Sequence, residues 1–431
     1  MLFFALPYLL ACFLQTFYGM ADLFVVGLYN GSETTTAVSI GSQVMHMLTV
    51  MIVGLAMGTT VELGHSVGAG DADRAKKTTG TTIVFFALLA VCATVLLYFL
   101  TNPLARVMLT PTEALEETGK YLRICFLGLP FIMAYNVIAS VFRGIGDSKS
   151  PMLFVAIACL VNILLDFLFI GGMGMGAAGA ALGTVIGQAV SVGIALLKAR
   201  KMELSFHMEK RDLRCDRQSL SSMLKVGIPV CMQDGLIQVA FIVITVIANS
   251  RGLVAATSVG IVEKIISFLF LVPSAFLSAI SAITAQNMGA GKRDRARSSL
   301  YFGLTVAVSW GLLCCLVCHL VPGSLVGIFT REEEVISAGS AYLMAYSFDC
   351  VFAAVHFCFS GYFCGDQKSG ISFLHNILSI LLFRIPGAYL ASKFFPETLY
   401  PMGLAAPAGS ALSALICIGF FLYYKNKEDR A

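Results

Sequence analysis

Charge is what this sequence has least of. Only 13% of its 431 residues are Asp, Glu, Lys or Arg, against 58% that are hydrophobic, whereas soluble globular chains carry about 25% charged residues. With a mean hydropathy of +0.84, a water-soluble fold could not hide so much apolar surface. Each helical crossing of a bilayer takes about 20 mostly apolar residues, so the length suits roughly a dozen crossings and leaves no soluble domain over. A clustered basic face is also missing: the net charge of +4 is spread along the chain, which argues against nucleic acid as a partner. The opening Met1-Leu2-Phe3-Phe4-Ala5-Leu6-Pro7 has neither the charged region nor the small-residue cleavage site of a signal peptide, so the first helix is expected to be retained. Cysteine is plentiful, at 13, yet Cys12, Cys92, Cys159, Cys314, Cys315 and Cys417 lie inside apolar runs. Free buried thiols are expected there rather than a disulfide framework.

Apolar runs broken by Gly, Pro or charge predict helices near residues 2–28, 36–64, 79–100, 119–142, 151–171 and 177–198. A second set follows near 222–249, 253–284, 298–321, 335–363, 369–391 and 402–424. The loops after even-numbered helices, with the C-terminal tail, hold 21 of the 29 Lys and Arg, which by the positive-inside rule places both termini in the cytoplasm.

The two sets are repeats. Gly68-Ala69-Gly70 with Asp73-Arg74-Ala75 recurs as Gly289-Ala290-Gly291 with Asp294-Arg295-Ala296, Gly144 matches Gly365, and Pro7 corresponds to Pro229 with a one-residue slip. Six helices per half give both halves the same topology. The expected fold is therefore an all-α integral membrane protein of twelve helices in two six-helix lobes, related by a pseudo-twofold axis along the membrane normal, with the site for transported molecules between them. Residues 1–198 form the first lobe, 199–220 a basic cytoplasmic linker and 221–431 the second lobe.

Acids at membrane depth are costly and point to function. The first half has Asp22 and Asp166 and no cation within its membrane interior; the second has Asp234, Glu263 and Asp349, with Lys264 and Arg384 available to balance them. Asp22 and Asp166 therefore call for a proton, a metal cation or a cationic ligand. With the N-terminus inside, Asp22 lies about six residues, or roughly 9 Å, from the outer end of its helix. Asp166 and Thr184 lie at similar depth, and Asn162 is one turn from Asp166 on the same face. Two carboxylates with Asn and Thr oxygens suit a hard cation such as Na⁺, and close, desolvated carboxylates also suit a proton. The plainer reading makes them protonated or hydrogen-bonded packing residues. The same plain reading weighs more for Asp234, Glu263 and Asp349, which remain secondary candidates. Glu62, near a cytoplasmic helix end, is expected to snorkel. His46, His319, His356 and His375 fall on different helices and read as packing residues.

The first helix runs from Pro7 through Phe17-Tyr18-Gly19-Met20-Ala21-Asp22 to Gly27, and along the chain stand Ala37-Val38-Ser39, Gly54-Leu55-Ala56-Met57-Gly58, Arg143-Gly144 to Asp147 with Pro151, and Ala285-Gln286-Asn287-Met288-Gly289. In this ordered series the chain resembles the multidrug and toxin extrusion (MATE) family. The resemblance covers essentially the whole chain. It implies a cell-membrane antiporter, not an enzyme, that exports cationic or amphipathic organic compounds as Na⁺ or H⁺ enters. No cofactor beyond the coupling ion is implied, the partners being the lipid bilayer and small organic substrates, with the chain acting as a monomer. In the DinF-like branch, which this chain resembles more, the ion site would fall on Asp22, Asn162, Asp166 and Thr184, with Tyr121 and Asn136 in the same network. Pro7 would let the first helix bend. Asp234 and Asp349 are near, but not in register with, the acids of the NorM-like branch. Rival readings are a flippase for lipid-linked sugars or lipids, which would want a more cationic cleft, and an intramembrane prenyltransferase-like enzyme, for which Asp71-x-Asp73 is a weak Mg²⁺ motif.

Overall fold

The computed structural model describes residues 1–108, 110–201, 209, 212–428 and 430. Among them there are helices and turns and no strands. Eleven helices are long and apolar enough to cross a membrane, and a bent pair makes a twelfth span. In chain order these are α1 Leu2–Tyr29, α2 Ser32–Gly68, α3 Ala72–Phe99, α4 Thr112–Leu127 with Leu129–Gly144, α5 Lys149–Gly172, α6 Gly176–Lys201, α7 Arg217–Asn249, α8 Leu253–Gly289, α9 Arg293–Leu320, α10 Glu333–Gly365, α11 Ser369–Phe394 and α12 Tyr400–Glu428. The two arms of α4 meet at 50°, where Gly128 precedes Leu129-Pro130. Proline cannot donate to the preceding turn, so a break there costs little. Pro7, by contrast, sits inside an unbroken α1. The linker expected over 199–220 falls partly outside the described residues.

The chain divides into two compact units, residues 2–231 and residues 232–431 with Met1. The division falls inside α7, whose first turns belong with the N-terminal unit. A reciprocal glycine contact holds them there: Gly58 of α2 faces the Met223 carbonyl of α7, and Gly227 of α7 faces the Leu55 carbonyl of α2. Small residues of this kind let helix backbones approach closely in a membrane, where hydrophobic attraction between helices is missing.

Each unit has its own apolar core. Val25, Val26, Val38, Leu122, Phe126, Met133 and Ile170 cluster in the first, and Val259, Val262, Leu343, Tyr346, Cys350 and Met402 in the second. Elsewhere large apolar side chains face outward, as Leu88, Val91, Val95 and Phe99 do along α3. Such a stripe would be a liability in water and is at home against acyl chains. The thirteen cysteines are free.

Both units interrupt their fifth helix with a π-helical segment, Phe167–Gly172 in α5 and Ile380–Arg384 in α11. A π turn inserts one residue into the helix and re-aims the side chains around it, which is why such turns gather at functional sites.

Candidate functional site

In the N-terminal unit α1, α5 and α6 pack against one another, and their polar residues meet. Asp22 of α1 and Asn162 of α5 are 2% exposed and Asp166, the last α-helical residue before the π segment, is fully buried. Thr184 Oγ1 on α6 donates to Asp22 Oδ2 at 3.2 Å and lies 3.1 Å from the Ala180 carbonyl. Asp22 faces Asp166 and Asn162. Gly183 makes room for this: a methyl group there would run into Asp166 Oδ1 and come within 3.4 Å of Asn162 Nδ2. One turn on, Gly187 stands over the Ala158 carbonyl and Asn162 Cβ at 3.0 and 3.4 Å from where its own methyl would be.

The hydrogen-bond inventory of the cluster is short. Asp22 Oδ1, both oxygens of Asp166 and both polar atoms of the Asn162 amide are buried without a hydrogen-bond partner, and no Lys or Arg forms an ion pair with either acid among the described residues. Buried polar groups are nearly always satisfied, and those that are not call for an explanation. Two carboxyls side by side and away from water cannot both carry unbalanced charge. A proton or a small hard cation balances the charge and gives the orphaned oxygens a partner, while the Asn162 Nδ2 donor is left to a carboxyl oxygen; carboxylate, amide and hydroxyl oxygens are the donors such a cation takes. These residues fit Na⁺ or H⁺.

Of the other residues singled out in the sequence, Tyr121 has its hydroxyl 3.1 Å from Ser42 Oγ, and Asn136 Nδ2 donates to the Ile132 carbonyl. Neither forms a hydrogen bond with Asp22 or Asp166 among the described residues. Sequence reasoning missed Gly183 and Gln188 on α6. The Gln188 side chain neighbours Tyr18 of α1, which in turn lies within electrostatic reach of Asp22. The signal was available: Tyr18 precedes Asp22, and Gln188 follows Thr184, by one helical turn.

The acids of the C-terminal unit are dispersed. Asp349 of α10 is fully buried and pairs with Arg384 of α11 at 3.5 Å. Glu263 of α8 accepts from Thr245 at 3.4 Å, and Asp234 of α7 lies near Cys364. Lys264 is exposed and enters no ion pair among the described residues, so of the two cations expected to balance these acids only Arg384 does. Glu62 departs from the expected snorkelling: it is 2% exposed and bound to Arg74 at 2.7 Å, because α3 turns back over the end of α2 and brings the guanidinium to it. His356 and His375, far apart in sequence, stand with ring centroids 5.4 Å apart. Cys315 and Cys318 have a two-residue spacing on α9 with His319 beside them, yet no group of three metal-ligating side chains forms among the described residues.

A family model described as MatE matches residues 7–168 and 229–390, two stretches that open on Pro7 and Pro229. A protein of Bacillus subtilis (strain 168) named "Probable multidrug resistance protein YoeA" is 25% identical over 99% of this chain and 94% of its own length. One of Thermotoga maritima named "Probable multidrug resistance protein NorM" is 24% identical over 97% and 90%. Among solved structures, an outward-facing conformation of a multidrug resistance MATE family transporter of the MOP superfamily superposes with a TM-score of 0.92 at 20% identity, covering 99% of this chain and 96% of its own. A MOP superfamily transporter from Pyrococcus furiosus Vc1 gives 0.91 at 21% identity over 98% and 94%. At these identities the structural likeness speaks for the fold.

Proposed function

The chain belongs to the MatE family of multi-pass membrane transporters, and from that premise we propose that it is a secondary antiporter, exporting cationic or amphipathic organic compounds in exchange for Na⁺ or H⁺. The coupling cation is taken at Asp22, Asn162, Asp166 and Thr184. One observation carries this reading: two adjacent, buried carboxyl groups with unpartnered oxygens and, among the described residues, no cationic side chain paired to them. Their charge state must change with whatever cation arrives. A cation that binds one conformation better than the other shifts the balance between them, and only such a difference can drive transport.

The protein acts as a monomer in the cell membrane, with both termini in the cytoplasm. The test is purified protein in liposomes under an imposed Na⁺ or pH gradient, with fluorescent organic cations inside and, in parallel, anionic lipid-linked sugars. Gradient-driven movement of the organic cations that is lost in both Asp22→Asn and Asp166→Asn, with folded protein retained, supports the assignment. Movement of the lipid-linked sugars alone, or full coupling in the double variant, rejects it.

A further inference from the structure

The two units share a local plan around their π segments. In α5, Asn162 and Asp166 stand four residues apart, and Asp166 is the last residue before the π segment. In α11, His375 and Ser379 stand four apart, and Ser379 is the last residue before its π segment. In α6, Gly183 gives up its side chain to Asp166 and is followed by Thr184; in α12, Gly409 gives up its side chain to Ser379 and is followed by Ser410. One turn further, Gly187 approaches Asn162, and Ser413 donates to the His375 carbonyl at 3.1 Å. The same cradle is built twice from different residues.

Its chemistry is inverted. Among the described residues the N-terminal cradle holds two acids and no base. In the C-terminal one, Ser379 replaces Asp166, and the residue as far beyond Pro229 as Asp22 is beyond Pro7 is Ile244, a buried apolar side chain. Among the described residues the acid there is Asp349, delivered from α10, and a guanidinium has been added. Arg384, the last residue of the π segment, is 9% exposed. Its Nη2 donates to Ser410 Oγ at 2.8 Å and lies 3.5 Å from Asp349 Oδ2. Its Cγ lies 3.0 Å from where a methyl group on Gly409 would be. Ser410, the counterpart of Thr184, thus offers its oxygen to a guanidinium, while Thr184 donates to a carboxylate.

We propose that Arg384 is a tethered cation: its guanidinium stands where the N-terminal unit receives an exchangeable one, so the C-terminal cradle takes no coupling ion of its own. Removing the side chain opens a site for a free guanidinium-type organic cation between Asp349 and Ser410. The assignment of Arg384 stands on the geometry of the C-terminal unit; the comparison rests on the cation reading of the N-terminal site.

The experiment titrates the purified full-length protein with guanidinium and methylguanidinium up to about 20 mM, far below the molar range in which guanidinium denatures, following thermal unfolding with a thiol-reactive dye that reports the buried cysteines. R384A is expected to melt lower than the wild type and to recover at least half of the loss, saturably, at guanidinium concentrations on the order of millimolar. Neutral urea should restore nothing. R384A/D349N and the wild type should not respond, and R384A/S410A should need several-fold more guanidinium. A folded R384A without a saturable response, or an equal response in the wild type, overturns the proposal. If R384A fails to assemble, R384Q takes its place in the titration, and R384K, which keeps the charge, is expected to retain more than half of the stability that R384Q loses; equal loss overturns the proposal. D22N tests the N-terminal reading separately, and the guanidinium response of R384A persists in that background.

Discussion

Asp166 reaches its place because Gly183 has no side chain. Gly183→Ala would force the carboxylate away from Asp22, and overpacking of this kind costs about 1–3 kcal/mol. The protein is expected to fold, with the concentration of driving cation needed for half-maximal export raised about tenfold or more; unchanged ion dependence in liposomes would show that Asp166 can move without consequence. Thr184→Ala removes one neutral oxygen and leaves both acids. A net hydrogen bond is worth about 0.5–1.5 kcal/mol, so ion affinity should weaken roughly two- to tenfold while affinity for the exported compound stays the same. Isothermal ion titration beside substrate binding distinguishes the two. The acids and Thr184 were legible in the sequence from hydropathy and depth alone, because an uncompensated carboxylate in an apolar run stands out. Gly183, Gln188 and the adjacency of His356 and His375 were not, since a glycine's role depends on what faces it and a histidine pair on which turns of two helices meet.

Helix number and order were legible because each apolar run is punctuated by Gly, Pro or charge. The ends were less so: α2 continues from the expected 64 to Gly68, and α8 from 284 to Gly289, since the polar turns that follow stay helical beyond the apolar stretch. The π segments leave no trace in hydropathy, because an inserted residue shifts the phase of a helix without changing its composition. At the start of α7, Asp216 accepts from the Ser219 amide at 2.8 Å while its own amide donates to Thr81 Oγ1 at 2.9 Å, fastening the helix N-terminus to α3. The Ser219 amide, helped by its hydroxyl, holds the Asp216 carboxyl below its ordinary value of 3.8. A depressed folded-state value means that the stabilisation is present above that ordinary value and is lost as pH falls through the folded one. Asp216→Ala should therefore cost about 0.5–2 kcal/mol at neutral pH, and the difference in melting temperature from the wild type should shrink at pH 3. A difference independent of pH would assign the effect to the backbone rather than to the carboxylate. In the same helix, Gly227→Ala would press on the Leu55 carbonyl and, by the overpacking argument, lower stability by about 1–3 kcal/mol; a neutral result in thermal unfolding would mean that α2 and α7 can separate freely.

For the molecule as a whole, the direction of transport depends on which way it sits in the bilayer, and that is set by charge at the loops. Lys and Arg are retained on the cytoplasmic side during insertion, and the bias counts in short loops close to the helix ends. Here Arg74, Lys76 and Lys77 follow α2, Arg143 and Lys149 flank the α4–α5 turn, Lys292, Arg293, Arg295 and Arg297 follow α8, and Lys425 and Lys427 close α12. Each group stands after an even-numbered helix, so all of them vote for the same side, and the repeat carries the vote through both units. The basic linker lies partly outside the described residues, but Cys215, just ahead of α7, is exposed and offers a native reporter for the same face. With the other twelve cysteines replaced, Cys215 should react with a membrane-impermeant maleimide in inside-out vesicles and stay unlabelled in intact cells. This orientation puts Asp22 and Asp166 nearer the outer face, as their positions late in outward-running α1 and α5 require, so a cation entering from outside meets them early in its passage. Labelling of Cys215 from outside intact cells would reverse the molecule, place the paired carboxyls nearer the cytoplasm, and make the same site one that is filled from within.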